Sequence, residues 1–299
     1  MNKGVVSVLV AYLIWGLYPF YFHAMQHVAP TEIVIHRVLW TFALLAVYLC
    51  CSRRWRWIQK AITDRRTVAV FLMSSVLITA NWSTYTYAIV TNQTLEASLG
   101  YFMNPLVSVL LGTVFLKEKL NKAQMLAIVF ACAGVMWVTF KQGEFPALGL
   151  TLALSFGFYG LVRKMAPLGS LEGLTLETAF AFPVALLATF YFAGNGDLTF
   201  VHGTSWDKFW LIMAGPITTI PLILFAYGLK QVPYSTVGFI QYLSPTMVFF
   251  IGLFFFGEEL QVDRLIGFIL IWTGVLIFVG ENFFRSHSGY RTEFNQLSK

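Results

Sequence analysis

The chain alternates long apolar runs with short polar segments from its first residues almost to its end. A helix that crosses a lipid bilayer needs about 20 consecutive, mostly apolar residues, and the runs have this length. A membrane β-barrel would instead show short segments of alternating polarity. The pattern therefore predicts an all-α membrane protein with ten transmembrane helices. Their approximate bounds are 4–25, 31–50, 67–90, 95–116, 122–140, 146–165, 172–193, 207–229, 232–256 and 261–283.

The composition supports lipid as the solvent. Of 299 residues, 58% are hydrophobic and only 11% are charged, whereas a soluble domain carries about 25% charged residues. A water-soluble fold could not cover its surface with so few polar groups. The net charge of +6 does not indicate nucleic acid as a partner, because the basic residues lie in short loops between apolar runs.

The basic residues also predict an orientation. With the N-terminus in the cytoplasm, 16 of the 20 Lys and Arg residues fall on the cytoplasmic side and three on the outer side. The remaining one, Arg37, lies inside a span. Because cytoplasmic loops carry an excess of Lys and Arg, we expect both termini in the cytoplasm of a bacterial cell, with the chain in the inner membrane. Residues 284–299 are polar and are expected to form a short mobile tail.

The sequence contains a weak internal repeat. A shift of 140 residues aligns Pro105 with Pro245, Gly112 with Gly252 and Glu118 with Glu258. We therefore predict two five-helix repeats, residues 1–143 and 144–283. An odd number of spans inverts the second repeat, in agreement with net charges of +2 and −2 on the aligned loops after the fourth and ninth spans. Inverted repeats are common in secondary transporters, whose solute site lies near the bilayer midplane.

This architecture favours a secondary transporter that works by alternating access. The sequence has no GxxxxGK[ST] motif for ATP, no HExxH motif and no filter-like loop, so we expect neither an enzyme nor a channel. Cys50, Cys51 and Cys132 lack metal-ligand spacing, and we expect no metal or cofactor. A membrane sensor or assembly subunit without flux stays open as the alternative. Monomer and homodimer also stay open.

Four segments resemble the RarD proteins, in the EamA branch of the drug/metabolite transporter superfamily. They are YLIWG (residues 12–16), HRVLW (36–40), LEASLGYFMNPL (95–106) and FYGLVRK (158–164). The similarity extends from about residue 4 to residue 283. The resemblance implies ten helices in two inverted repeats, an inner-membrane location and permease activity in a family associated with drug resistance. Because relatives in the superfamily export amino acids and other metabolites, it implies a small metabolite or an amino-acid-like solute.

The second predicted span holds three ionisable residues, Glu32, His36 and Arg37. An ionisable group at mid-membrane costs about 2.5–3.5 kcal/mol on insertion scales, so it needs a partner or water. We predict that Arg37 and His36 contact the solute, with Arg37 holding an anionic group, and that Glu32 is a candidate for proton coupling. The alternative is structural: Arg37 pairs with a carboxylate or a helix end, and Glu32 caps the helix.

The fourth and ninth spans carry matching polar patches beside Pro105 and Pro245. Tyr101 and Asn104 lie in the first patch, and Gln241 and Tyr242 lie in the second. We predict that the prolines break both helices at the centre and that these four side chains bind the solute. The alternative is that the prolines only kink the helices.

Four further residues complete the candidate site. Asn81 and Trp82, near the middle of the third span, suit a small polar solute, although an amide can also link helices. Glu96 and Glu177 are further candidates for proton coupling, and Glu177 could instead pair with Arg163 or Lys164.

Overall fold

The computed structural model describes residues 2–53, 55–90, 94–142, 146–257 and 262–297, and every regular element within them is a helix. The helices are α1 (Lys3–Gly16), α2 (Tyr18–Ala24), α3 (Pro30–Ser52), α4 (Arg56–Thr63), α5 (Arg65–Val90), α6 (Thr94–Phe115), α7 (Lys122–Gln142), α8 (Ala147–Met165), α9 (Ser170–Gly194), α10 (Thr199–His202), α11 (Ser205–Leu229), α12 (Tyr234–Gln241), α13 (Leu243–Phe255) and α14 (Val262–Leu297).

Each of the ten predicted segments coincides with one helix or with two consecutive helices. The first segment is interrupted at Leu17, shortly before Pro19, and the ninth is interrupted at Tyr242, shortly before Pro245. A proline has no backbone N–H for the helix, which accounts for both interruptions. The predicted break at Pro105 is wrong, because α6 continues through this residue.

Close packing accompanies the unbroken backbone at Pro105. A methyl group in place of the Gly238 hydrogen would lie 2.7 Å from the Pro105 carbonyl oxygen, so α12 approaches α6 closely at this point. Neighbouring helices let a proline be tolerated inside a membrane helix. The same residue type therefore has different effects in the two aligned helices.

Two helices extend beyond the prediction. The polar helix α4 occupies the segment between the second and third predicted spans. Helix α14 continues through Leu297, so the segment predicted as a polar mobile tail is helical as far as this residue. No proline occurs after residue 245, so no proline ends α14 where its apolar part ends.

Among the described residues, seven helical segments are long and apolar enough to cross a membrane, and Gly100–Phe115 and Leu265–Glu281 are shorter apolar helices. The seven are Lys3–Ala24, Pro30–Ser52, Arg65–Tyr85, Lys122–Lys141, Ser170–Gly194, Ser205–Leu229 and Tyr234–Phe255. Large apolar side chains cover much of the outer surface, Phe140 and Val184 among them. Such a surface is suited to lipid and not to water.

The helices pack in a few dominant groups. Helix α8 packs mainly on α6 and α5, α11 packs mainly on α1 and α3, and α7 packs on α14. Small residues allow close approach: a methyl group on Gly134 would lie 2.6 Å from the Gly267 carbonyl oxygen, and one on Gly228 would lie 2.7 Å from that of Gly4. Packing through small residues is typical of helices in lipid, where the hydrophobic effect does not drive helices together.

Candidate solute cavity

A cavity of about 570 Å³ is lined by residues of α1, α2, α3, α5, α6, α7, α8, α11, α12, α13 and α14. Its lining comes from the last half of α5 and from the first halves of α6 and α8, and therefore from one end of the bundle. Six of the eight residues predicted to contact the solute line it: Arg37, Asn81, Trp82, Tyr101, Asn104 and Gln241. The fold thus brings together side chains that are up to 204 positions apart in the sequence.

Arg37 is the charged group of the cavity lining. Its side chain is buried, its Nε donates a hydrogen bond to Thr218 Oγ1 on α11 (3.0 Å), and its guanidinium carbon lies 4.3 Å from the centre of the Trp82 ring. The described side chains form four ion pairs, and Arg37 is in none of them. Because Arg carries five N–H donors, this arrangement leaves its Nη groups for a bound anion.

Thr218 was not predicted from the sequence. It lies in α11 beside Thr219, between two prolines at residues 216 and 221. A polar pair between prolines in the middle of an apolar run is the signal that could have identified it. Thr219 differs from Thr218 in that its hydroxyl donates to the Gly215 carbonyl oxygen of its own helix (2.8 Å).

The amides in the cavity have different environments. The Asn81 Nδ2 donates to the Leu152 carbonyl oxygen and to Ser155 Oγ, both at 3.0 Å, so Asn81 also links α5 to α8. Gln241 Oε1 accepts a hydrogen bond from Ser108 Oγ (2.9 Å). The Asn104 Oδ1 is buried and has no hydrogen-bond partner. A buried acceptor without a donor costs about 1–3 kcal/mol, and a solute N–H could satisfy it.

The remaining lining is largely aromatic. Three aromatic residues of the lining, Tyr12, Trp15 and Phe156, pack in one cluster with Tyr159 and Phe225. We name these five residues the aromatic floor. The Phe225 ring is 5.9 Å from Tyr12, 5.4 Å from Phe156 and 6.5 Å from Tyr159, measured between ring centroids. Tyr159 and Phe225 have no exposed surface, so the floor closes one end of the cavity.

Two predicted solute contacts lie outside the cavity lining. His36 is buried on another face of α3, where its Nδ1 accepts a hydrogen bond from Trp40 Nε1 (3.0 Å) and its ring packs against Phe200. Consecutive helix residues point about 100° apart, which separates His36 from Arg37. Tyr242 is buried among apolar side chains at the junction of α12 and α13, although Gln241 next to it lines the cavity.

Glu32 acts on another part of the backbone. Its two carboxylate oxygens accept hydrogen bonds from the backbone N–H groups of Thr199 (2.9 Å) and Phe200 (2.7 Å). The carboxylate therefore caps the N-terminus of α10, in agreement with the structural alternative but on a different helix from its own. His36 Nε2 lies 3.8 Å from Glu32 Oε1.

Glu177 lies in a separate buried cluster. Its Oε1 accepts a hydrogen bond from Ser74 Oγ and lies 3.3 Å from Arg163 Nε, and its Oε2 accepts one from the Tyr159 hydroxyl (3.3 Å). Arg163 is also fully buried, and of the two expected cations it is Arg163 that pairs with Glu177. Tyr159 connects this cluster to the aromatic floor. The side chain of Glu96, the third proton-coupling candidate, lies outside the described residues.

Comparisons with known proteins identify the family of the chain. The sequence profile of the EamA-like transporter family matches residues 2–140 and again residues 146–280. The chain belongs to this family. It is 38% identical to an uncharacterized transporter of Pseudomonas aeruginosa over 93% of each chain, and 37% identical to protein RarD of Escherichia coli over 93% of this chain and 94% of that protein. The resemblance to RarD proteins is thus confirmed.

A solved structure shares the fold. A crystal structure of another protein superposes with a TM-score of 0.67 over 92% of this chain and 98% of that one, at 14% sequence identity. Together with the apolar helices, the family assignment identifies a multi-pass inner-membrane protein of a transporter family. The relative from Pseudomonas aeruginosa is named as a transporter, which is consistent with the expectation that the chain is not an enzyme.

Proposed function

We propose that this protein is a secondary transporter that moves a small metabolite or amino-acid-like solute through the described cavity by alternating access. The observation that carries the proposal is Arg37, a buried guanidinium that lines the cavity and has no ion-pair partner among the described side chains. A charge in lipid is costly, and its usual place in a transporter is the substrate pathway.

The proposed architecture has ten spans in two inverted five-helix repeats, residues 1–143 and 144–283. Two successive matches to one family profile, at residues 2–140 and 146–280, support the repeat. The distribution of Lys and Arg supports a cytoplasmic position for both termini. In this orientation the cavity lies in the outer half of the bundle, and the aromatic floor separates it from the cytoplasm.

The lining indicates the chemistry of the solute. The free N–H groups of Arg37 suit a carboxylate, because the planar guanidinium binds both of its oxygens. The unpaired Asn104 Oδ1 suits an N–H donor such as an ammonium group. The aromatic lining suits an apolar or aromatic body. The proposed solute is therefore a small amphiphilic carboxylate.

Proton coupling belongs to the proposal as well. Of the candidates Glu32, Glu96 and Glu177, Glu32 already accepts two backbone hydrogen bonds. Glu177 lies below the aromatic floor beside Arg163, where a change of the floor would alter its access to water. We expect the Glu177→Gln variant to transport at a rate that no longer responds to a pH gradient.

The experiment is a ligand screen followed by flux. Small amphiphilic carboxylates are screened for stabilisation of the purified protein, and uptake of the best ligand is measured in proteoliposomes. Arg37→Gln is expected to weaken binding by at least about tenfold, equivalent to about 1.4 kcal/mol. The matched control is Arg56→Gln, which removes the same charge at an exposed position. Equal binding by both variants would contradict the solute site, and binding without flux would favour the sensor or assembly subunit.

A further inference from the structure

The bundle end opposite the cavity carries two lysines that contact each other's helices. Lys164 lies near the end of α8, and its Nζ donates to the carbonyl oxygens of Leu229 (2.7 Å) and Val232 (2.5 Å), at the end of α11. Lys230 directly follows α11, and its Nζ donates to the carbonyl oxygens of Ala166 (2.9 Å) and Leu168, directly after α8. Each lysine thus caps the other lysine's helix.

These contacts are chemically suited to form and break. The last carbonyls of a helix have no partners within the helix and carry partial negative charge, which attracts a cation. These hydrogen bonds join lysines to backbone carbonyls and include no carboxylate. If the two helices separated, water at the membrane surface could solvate both the lysines and the carbonyls. A buried ion pair such as Arg163 with Glu177 lacks this property, because separation would leave uncompensated charges in lipid.

The lysines connect two helices whose main packing partners differ. Helix α8 packs mainly on α5 and α6, whereas α11 packs mainly on α1 and α3. The aromatic floor lies at the same boundary, since Phe156 and Tyr159 come from α8 and Phe225 comes from α11. A path from the cavity to the opposite face along this boundary would pass between α8 and α11.

We propose that Lys164 and Lys230 form a reciprocal latch that holds the ends of α8 and α11 together while the cavity is open to the other face. The latch releases when the path below the aromatic floor opens. The inference rests on the proposed alternating access, and it assigns to this chain the contacts that keep one gate closed.

The test measures access to the cavity from each membrane face without any solute. The background protein carries Cys50→Ser, Cys51→Ser and Cys132→Ala, and Ser244→Cys on the cavity lining is the reporter. A membrane-impermeant maleimide is applied to vesicles of each orientation. Adding Lys164→Gln with Lys230→Gln is expected to raise the labelling rate from the lysine face by about tenfold and to lower it from the opposite face.

Two controls separate a latch from ordinary helix capping. Lys119→Gln with Lys122→Gln makes the same charge change at exposed lysines on the same face and should leave both labelling rates unchanged. Lys164→Arg with Lys230→Arg keeps cationic donors and should retain the background rates. If the glutamine variant lowers the unfolding temperature but leaves both labelling rates at background, the latch is refuted. The labelling experiment needs no transported solute, so unchanged labelling rates would not contradict the proposed solute site. In the same way, a ligand screen without a hit would not contradict the latch.

Discussion

At the scale of single residues, the cavity depends on how Arg37 is held. Its Nε bonds to Thr218 and its guanidinium lies over the Trp82 ring, so both its orientation and its burial come from neighbours on other helices. The stacking also compensates part of the cost of burying the charge, by up to about 2 kcal/mol when water is excluded. Because these contacts already hold the guanidinium in one position, binding of an anion would not cost the conformational entropy of ordering this side chain.

A neighbouring pair of threonines tests this positioning role. Thr218→Val keeps the shape of the side chain but removes the acceptor for Arg37, and we expect the dissociation constant of a carboxylate ligand to rise about three- to tenfold, in line with a hydrogen bond of about 0.5–1.5 kcal/mol. Thr219→Val is the control, since that hydroxyl bonds within its own helix. Titration of both variants checks the effect, and equal affinities would show that Thr218 does not position Arg37.

A second test at this scale concerns Gly173. A methyl group at this position would lie 1.7 Å from Arg163 Nη1 and 2.6 Å from Phe71 Cε1, so Gly173→Ala should displace the buried guanidinium. Overpacking of this kind costs about 1–3 kcal/mol, and we expect a lower midpoint of thermal unfolding in detergent. Gly194→Ala, at the end of the same helix with nothing within 4 Å, should leave the midpoint near that of the wild type.

At the scale of elements, carboxylates organise the ends of helices that they do not belong to. Glu32 caps α10, and Glu118 accepts hydrogen bonds from the N–H groups of Tyr234 (2.6 Å) and Ser235 (2.8 Å) at the start of α12. The first N–H groups of a helix have no partners within the helix, which explains why an acid near them is stabilising. Both acids therefore have a structural task that sequence spacing alone does not reveal.

Replacement of Glu32 distinguishes this task from proton coupling. Glu32→Ala removes the cap of α10 and should destabilise the protein by about 0.5–2 kcal/mol, the usual cost of losing an N-cap. The response of flux to a pH gradient should persist in this variant. Flux and thermal unfolding of the same preparation provide both measurements, and a loss of the pH response with unchanged stability would instead identify Glu32 as the proton site.

At the scale of the whole molecule, one end of the bundle holds the open cavity, the aromatic floor closes the cavity towards the other end, and that other end holds the latch. This asymmetry is what a transporter needs in one of its two states. Which side of the membrane the cavity faces depends on the topology of the chain. With the termini in the cytoplasm, the cavity opens outward.

Fusions test this topology. Green fluorescent protein should fluoresce, and alkaline phosphatase should be inactive, when either is fused to the N- or the C-terminus, because both ends are expected in the cytoplasm. A phosphatase fused after residue 143, between the two repeats, should be active. Opposite results for the two termini would exclude an even number of spans and, with it, the inverted repeat.

The sequence by itself determined the helices, because long apolar runs and short polar loops permit little else in lipid. All ten predicted segments coincide with helices, and six of eight predicted solute contacts line one cavity. Polar residues are rare in apolar runs and are therefore conspicuous, which is why Arg37 and Asn104, which line the cavity, could be selected as candidates from the sequence.

Only the tertiary structure decided what each polar group faces. Glu32 and Arg37 lie five positions apart in one helix, yet one caps α10 and the other lines the cavity. Arg37 bonds to Thr218, Lys164 to the Leu229 carbonyl and Glu177 to Ser74, which lie 181, 65 and 103 positions away respectively. Periodicity along a helix fixes the direction of a side chain relative to its own axis, but its surroundings depend on how the other helices are placed.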